Sequence, residues 1–233
     1  MNTHLRTLLF LALALLVPFR ASAQMEAVDL GLSVKWASCN LGASKPKDAG
    51  HFYAWGETKP KTVFSEKNYG LYKEGPQRST GNLAALEYLL TKYCSDKKTS
   101  DAPGVYGNVD GKSVLEAVDD PARKERGGNW RIPTREEMEE LHEKCDWKWT
   151  EVGGVPGYKV SSRRNGNSIF LPAAGYYRDQ YHYRVGLMGF YWAANLADDY
   201  PTRAHYLGFS EEKVLSSSWW LRFYGFNIRP VTP

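Results

Sequence analysis

Apolar and polar positions alternate most plainly in the last third of the chain. Tyr158–Ser161, Ser168–Leu171, Gly189–Ala194, Ala204–Phe209, Trp219–Phe223 and Phe226–Val231 are short apolar-rich runs separated by Gly, Asn, Asp, Ser or Pro. That pattern predicts strands joined by turns and paired antiparallel. Alternation sorts their side chains: His205, Leu207 and Phe209 point one way, Ala204, Tyr206 and Gly208 the other, and Phe226 with Ile228 opposes Asn227 with Arg229. Upstream the period lengthens. After Trp130-Arg131-Ile132-Pro133, Thr134 and Glu137 form a capping box, and Met138, Leu141 and Cys145 fall on one side of the helix it opens. The other side, with Glu136, Glu139, Glu140, His142 and Lys144, reads as a solvated face whose early acids suit the helix dipole. A second helix is expected after Asn82, from Leu83 to about Tyr93, with Leu83, Leu86, Leu89 and Leu90 on one face. Between Cys39 and Arg131, dense Gly, Pro, Lys, Asp and Asn imply long loops. Helix and loop precede sheet, so the fold class is α+β.

Composition narrows the class. The chain has 233 residues, with Trp 8, Tyr 15 and Phe 9 to bury and a net charge of only +4, which speaks against disorder. No run of like charges builds the wide positive field that nucleic acid requires, so no nucleic-acid partner is expected. The first residues stand apart: one Arg and no acid in Met1–Arg6, an apolar run over Thr7–Phe19, then the small-x-small signal Ala21-Ser22-Ala23. Residues 1–23 read as a secretory signal peptide and 24–233 as a single domain, exported to the periplasm, the cell surface or the outside. The apolar run is short of the ~20 residues a spanning helix needs, and no later segment supplies one, so no transmembrane anchor is expected. The first cysteine is Cys39, which does not support lipoprotein attachment.

Cys39, Cys94 and Cys145 allow at most one internal disulfide in an oxidising compartment, and the spacing does not say which. They form no zinc pattern, and buried packing thiols or one staple are the readings that remain. Other chemical motifs fail. There is no Gly-x-Ser-x-Gly elbow, no phosphate-binding glycine loop, and His142-Glu143 stops short of the zinc-protease string. Asn108-x-Asp110-Gly111 imitates a calcium loop, but Glu116 comes one residue early for the closing ligand, so it reads as a turn. Asp119-Asp120 and Asp198-Asp199 could pair for glycoside hydrolysis, although adjacent acids more often cap helices or solvate turns. No catalytic residue, metal or cofactor is assigned.

Five ordered blocks carry a resemblance. Val28-Asp29-Leu30-Gly31-Leu32 with Val34–Ala43 and Tyr53-Ala54-Trp55-Gly56-Glu57, Gly127–Thr134, Ile169–Gly175, Tyr191-Trp192 and Gly225–Val231 together resemble the Fibrobacter succinogenes major paralogous domain over nearly the whole exported chain. The Arg-Ile-Pro-Thr helix start and the closing Gly-Phe…Arg are also similar to the formylglycine-generating, sulfatase-modifying branch of the C-type lectin-like folds. The resemblance implies two helices with a twisted, mostly antiparallel sheet and long loops. It also sets limits on activity. The copper-binding cysteine pair implied for the formylglycine-generating oxidases has no counterpart after Cys145, and the calcium-and-sugar strings of C-type lectins are absent.

What remains is an aromatic, arginine-rich surface in the second half. Tyr176, Tyr177, Tyr181 and Tyr183 interleave with Arg178, Asp179, His182 and Arg184, and Trp219-Trp220 is followed by Arg222 and Tyr224. Tyr, Trp and Arg give large, stiff, partly polar contacts. The Tyr176–Tyr183 segment is either an exposed ligand surface or a self-packed loop. Strand geometry expects at least one of Trp219 and Trp220 in the core, and Trp36, Trp130 and Trp192 read as packing residues. Arg229 reads as a buried salt-bridge member. The expectation is a non-catalytic binding module for a protein or glycan ligand at the cell surface, with Tyr177, Arg178, Tyr181, Tyr183, Tyr206, Trp220 and Arg222 as its ligand-binding residues. A carbohydrate-active enzyme using an acidic pair, and a structural module of surface assemblies, are the alternatives. The sequence sets no oligomeric state.

Overall fold

The computed structural model describes residues 25–74, 88–94 and 110–233. Its strands are β1 (Ala27–Val28), β2 (Lys35–Ala37), β3 (Tyr72–Glu74), β4 (Tyr88–Leu90), β5 (Cys145–Val152), β6 (Val155–Ser162), β7 (Ser168–Pro172), β8 (Tyr176–Arg178), β9 (Tyr181–Tyr183), β10 (Met188–Ala197), β11 (Tyr200–Ser210), β12 (Lys213–Leu221) and β13 (Val231–Thr232). Two helices, α1 (Pro121–Arg126) and α2 (Arg135–Lys144), fall between β4 and β5. The strands pair antiparallel in small sheets ordered β1-β2-β13, β3-β4, β5-β6-β7, β8-β9 and β10-β11-β12. The molecule is α+β, as the pattern requires.

The helix after Pro133 forms as its capping box specifies. Thr134 Oγ1 accepts from the Glu137 amide, Glu137 Oε2 accepts from the Thr134 amide, and Met138 and Leu141 are buried. The helix expected from Leu83 does not extend to Tyr93. Residues 75–87 lie outside the described structure, and Tyr88–Leu90 is a strand paired with Tyr72–Glu74. Cross-strand pairing outweighs a leucine spacing that isolated helical propensity would favour. The run after Tyr158 begins earlier than its alternation suggests, because Gly153 and Gly154, both at positive φ, turn a hairpin that pairs β5 with β6 from Val152↔Val155 onward. Phe226–Val231 is not a continuous strand: Phe226 and Asn227 make single bridges to Tyr53 and Tyr191, and only Val231–Thr232 joins a sheet.

The central sheet divides the interior in two. Along β10 and β11, Phe190, Trp192, Ala194, Ala204 and Tyr206 enter one core with Trp55, Phe64, Phe226 and Ile228. Tyr191, Ala193, Leu207 and Phe209 enter the other, with Met138 and Leu141 of α2 and Trp36, Val160 and Leu171. The alternation read on Ala204–Phe209 therefore holds, with both faces buried. Trp36 and Trp192 are buried packing residues and Trp130 is half-buried. Cys39, Cys94 and Cys145 are all buried thiols, so no disulfide staples the fold.

Among the described residues two arginines are interior. Arg229 is buried, but among the described residues it has no salt-bridge partner. Its guanidinium donates to Asn40 Oδ1 and to the carbonyls of Ala37 (3.0 Å) and Phe170 (2.7 Å), joining the segments around β2 and β7 to the C-terminal tail. Arg222 is fully buried as well. It donates to Tyr69 Oη and to the carbonyls of Tyr93, Pro201 and Lys92, and it lies over the Trp55 ring at 4.7 Å. Among the described residues, no helix is long and apolar enough to cross a membrane.

Candidate ligand-binding cleft

The Tyr176–Tyr183 segment is a hairpin, and its alternation gives each tyrosine a separate task. Asp179, at φ 50°, turns the chain so that Tyr176 faces Tyr183, Tyr177 faces His182 and Arg178 faces Tyr181. Tyr177 and His182 stack at 4.1 Å on the inner side, against Phe52 and, for Tyr177, Phe64. Two amide–carbonyl bonds of 2.9 Å between Tyr177 and Gly225 fasten this inner side to the domain. A side chain at Gly225 would strike the Phe64 ring, with its Cβ only 2.7 Å away. The outer side presents Tyr176, Arg178, Tyr181 and Tyr183, and Tyr176 stacks on Tyr183 at 5.3 Å.

Between this outer side and the central sheet lies a cleft of about 200 Å³. Tyr176, Arg184, Met188, Phe190, Tyr206, Trp220 and Phe226 line it. Arg184, at φ 60°, follows β9 and brings a cation to an otherwise aromatic and aliphatic wall. Tyr224 closes one side, 6.0 Å from Trp220 and 5.7 Å from Tyr176, with the Arg178 guanidinium 5.9 Å above its ring. Burial raises the pKa of Tyr176 and of Tyr206 above the ordinary phenol value, so both remain neutral hydroxyl groups. Next in sequence to the cleft residues Arg184 and Met188, Val185 and Leu187 are 56% and 59% exposed, and Tyr181 on the hairpin is 56% exposed.

The expected ligand residues divide accordingly. Tyr206 and Trp220 line the cleft, and Arg178, Tyr181 and Tyr183 stand on the exposed side of the hairpin. Tyr177 belongs to the packing that supports the hairpin. Arg222 is a correction: it points inward and spends its guanidinium on internal acceptors, because the chain turns after β12 and enters the core at Arg222. The expectation that one of Trp219 and Trp220 is core also fails, since they are 37% and 43% exposed. They do point to opposite sides. Among the described strands β12 is the sheet edge, so Trp219 covers Tyr200 and Arg203 while Trp220 covers the cleft. Met188, Phe190 and Phe226 were not among the expected ligand residues; the shared parity of Phe190 with Tyr206 across β10 and β11 is the signal that places both on one face.

The acidic pairs have other work. Asp120 Oδ1 caps α1 by accepting from the Ala122 and Arg123 amides, and its Oδ2 accepts from the Ile132 amide. Asp119 accepts from Lys92 and from the Tyr93 hydroxyl, and Asp198 meets Arg135 at 3.4 Å. Asp110 accepts from the amides of Tyr93, Cys94 and Lys112 in a turn. Among the described residues no group of three or more His, Cys, Asp or Glu could hold a metal ion.

Fold and cleft together define an α+β domain with a preformed apolar recess next to two arginines. Comparison with protein-family models, with curated proteins and with solved structures finds no match for the chain.

Proposed function

We propose that this is an exported, non-catalytic binding module of the C-type lectin-like, sulfatase-modifying type, related to the Fibrobacter succinogenes major paralogous domain. It engages a protein or glycan ligand through the aromatic cleft and its hairpin wall. The observation that carries the proposal is the cleft itself, with ring faces inside, tyrosines and aliphatic side chains outside, and Arg178 and Arg184 at the border. Such surfaces combine large apolar contact with few rotatable bonds. The kinship is supported by how the resembling blocks meet: Tyr53 pairs with Phe226, Arg131 with Val231, and the Trp192 amide donates to the Asn227 carbonyl. A protein ligand is favoured over a glycan at this cleft by Val185 and Leu187, which extend the patch with aliphatic rather than ring surface.

The test screens the protein against a random-peptide phage library and a glycan array, with and without calcium. Saturable binding is expected, and replacing Tyr181, Tyr183 and Trp220 together by Ala should weaken it at least a hundredfold, about 2.7 kcal/mol or more. Unchanged affinity in a folded triple variant would place the ligand elsewhere.

A further inference from the structure

A second cleft lies on another part of the surface, shares no residue with the aromatic one, and differs from it in chemistry. It encloses about 400 Å³, within the range of small-molecule sites, and is lined by Ser44, Asp48, His51, Glu125 and Arg126 with the backbone of Gly42 and Gly50. Behind it, the fully buried Tyr53 donates its hydroxyl proton to Glu125 Oε1 and lies 3.2 Å from His51 Nδ1. A phenol has one proton, and here the carboxylate takes it. The Tyr53 oxygen is then placed to accept from His51 when the imidazole hydrogen is on Nδ1, the tautomer that leaves Nε2 as an acceptor on a ring that lines the cleft.

The backbone is shaped to hold that ring. Gly42, at φ 79°, passes so close that a Cβ would stand 2.4 Å from the imidazole, and at Gly50, at φ 70°, it would stand 2.3 Å from the Leu41 carbonyl oxygen. The His51 amide donates to that same Leu41 carbonyl. On its far side the Asn227 side chain, buried in the core, donates to the carbonyls of Ala49 and His51, and Asn40 donates to Ala49 as well.

We infer that this cleft is a saccharide site, in which His51 Nε2 and the carboxylates of Asp48 and Glu125 accept from ligand hydroxyls and Arg126 donates to them. Hydroxyl groups both donate and accept, which is what three acceptors beside one cationic donor require. A phosphate would face two carboxylates, and an ammonium would face Arg126. The inference does not depend on the aromatic cleft.

The test is a histidine-selective long-range 1H–15N spectrum of the intact protein, titrated with the methyl glycosides of glucose, galactose, mannose, xylose and N-acetylglucosamine. Inorganic phosphate and ethylamine serve as competing chemistries. The expected result is an Nδ1–H tautomer at His51 and a saturable Nε2 shift with at least one glycoside. Glu125→Gln should weaken that titration at least tenfold, and Trp220→Ala should leave it unchanged. Tyr53→Phe keeps the buried ring and should release the tautomer, read as a mixed Nδ1–H and Nε2–H signal. An Nε2–H tautomer in the unaltered protein, no response to any glycoside at its solubility limit, or a tighter response to phosphate or ethylamine would overturn the inference.

Discussion

Among individual residues, one interior arginine shows how far a side chain's type can mislead about its role. Arg222 looks like an interaction hot spot in sequence, following Trp219-Trp220, yet its neighbours in space are acceptors that only the folded chain brings together. Arg222→Leu should cost at least about 4 kcal/mol, because four acceptors lose their donor at roughly 1 kcal/mol or more each. The drop in urea midpoint measures it. Histidine gives a second prediction. Burial first, and then the charge of Arg135, holds the His205 pKa below its ordinary value, and burial does the same for His182. Once pH falls through the unfolded value near ~6.5, the unfolded chain binds more protons than the native one. The stability due to these neutral rings is therefore complete above that pH and is lost as pH falls toward the depressed native values. His205→Gln should flatten the dependence of urea midpoint on pH over this acid limb.

At the scale of elements, the outcome turned on whether local chemistry or a distant partner decides the backbone. The α2 capping box and the alternation of β11 are complete within a few residues, and both were legible. Tyr88–Leu90 was not, since its strand exists through pairing with Tyr72–Glu74, 14 to 18 positions away and outside any periodic window. The hairpin that walls the cleft was visible only as tyrosines and arginines, because its turn has no Gly or Asn at the left-handed position and uses Asp179 instead. That choice makes a prediction. Asp179→Gly should be neutral or stabilising by up to about 1 kcal/mol, whereas Asp179→Val, with a β-branched side chain at φ 50°, should destabilise by about 1–2 kcal/mol. Thermal melting of the two variants tests the pair. The cleft itself joins β8, the residue after β9, β10, β11, β12 and Phe226, so a strand-by-strand reading finds Trp220 and Tyr206 separately without showing that they face one another.

Taken whole, the molecule has two cores that share one sheet, with β10 and β11 giving one face to each. Neither can loosen without exposing the reverse side of the same strands. Phe226→Ala in one core and Leu207→Ala in the other should each cost about 2–5 kcal/mol and lower one common transition. Coincident tryptophan-fluorescence and far-ultraviolet circular dichroism curves would bear this out, and two separated transitions would contradict it. The buried guanidinium groups add a different consequence. Arg222 and Arg229 hold remote segments together through carbonyl, amide and phenol dipoles, with no carboxylate among the partners described above. Mobile ions screen pairs of exposed charges, but they do not reach a charge sealed among dipoles. The cost of Arg222→Leu should accordingly be the same in dilute buffer and in molar sodium chloride. These junctions would then hold as firmly in brine as in fresh water.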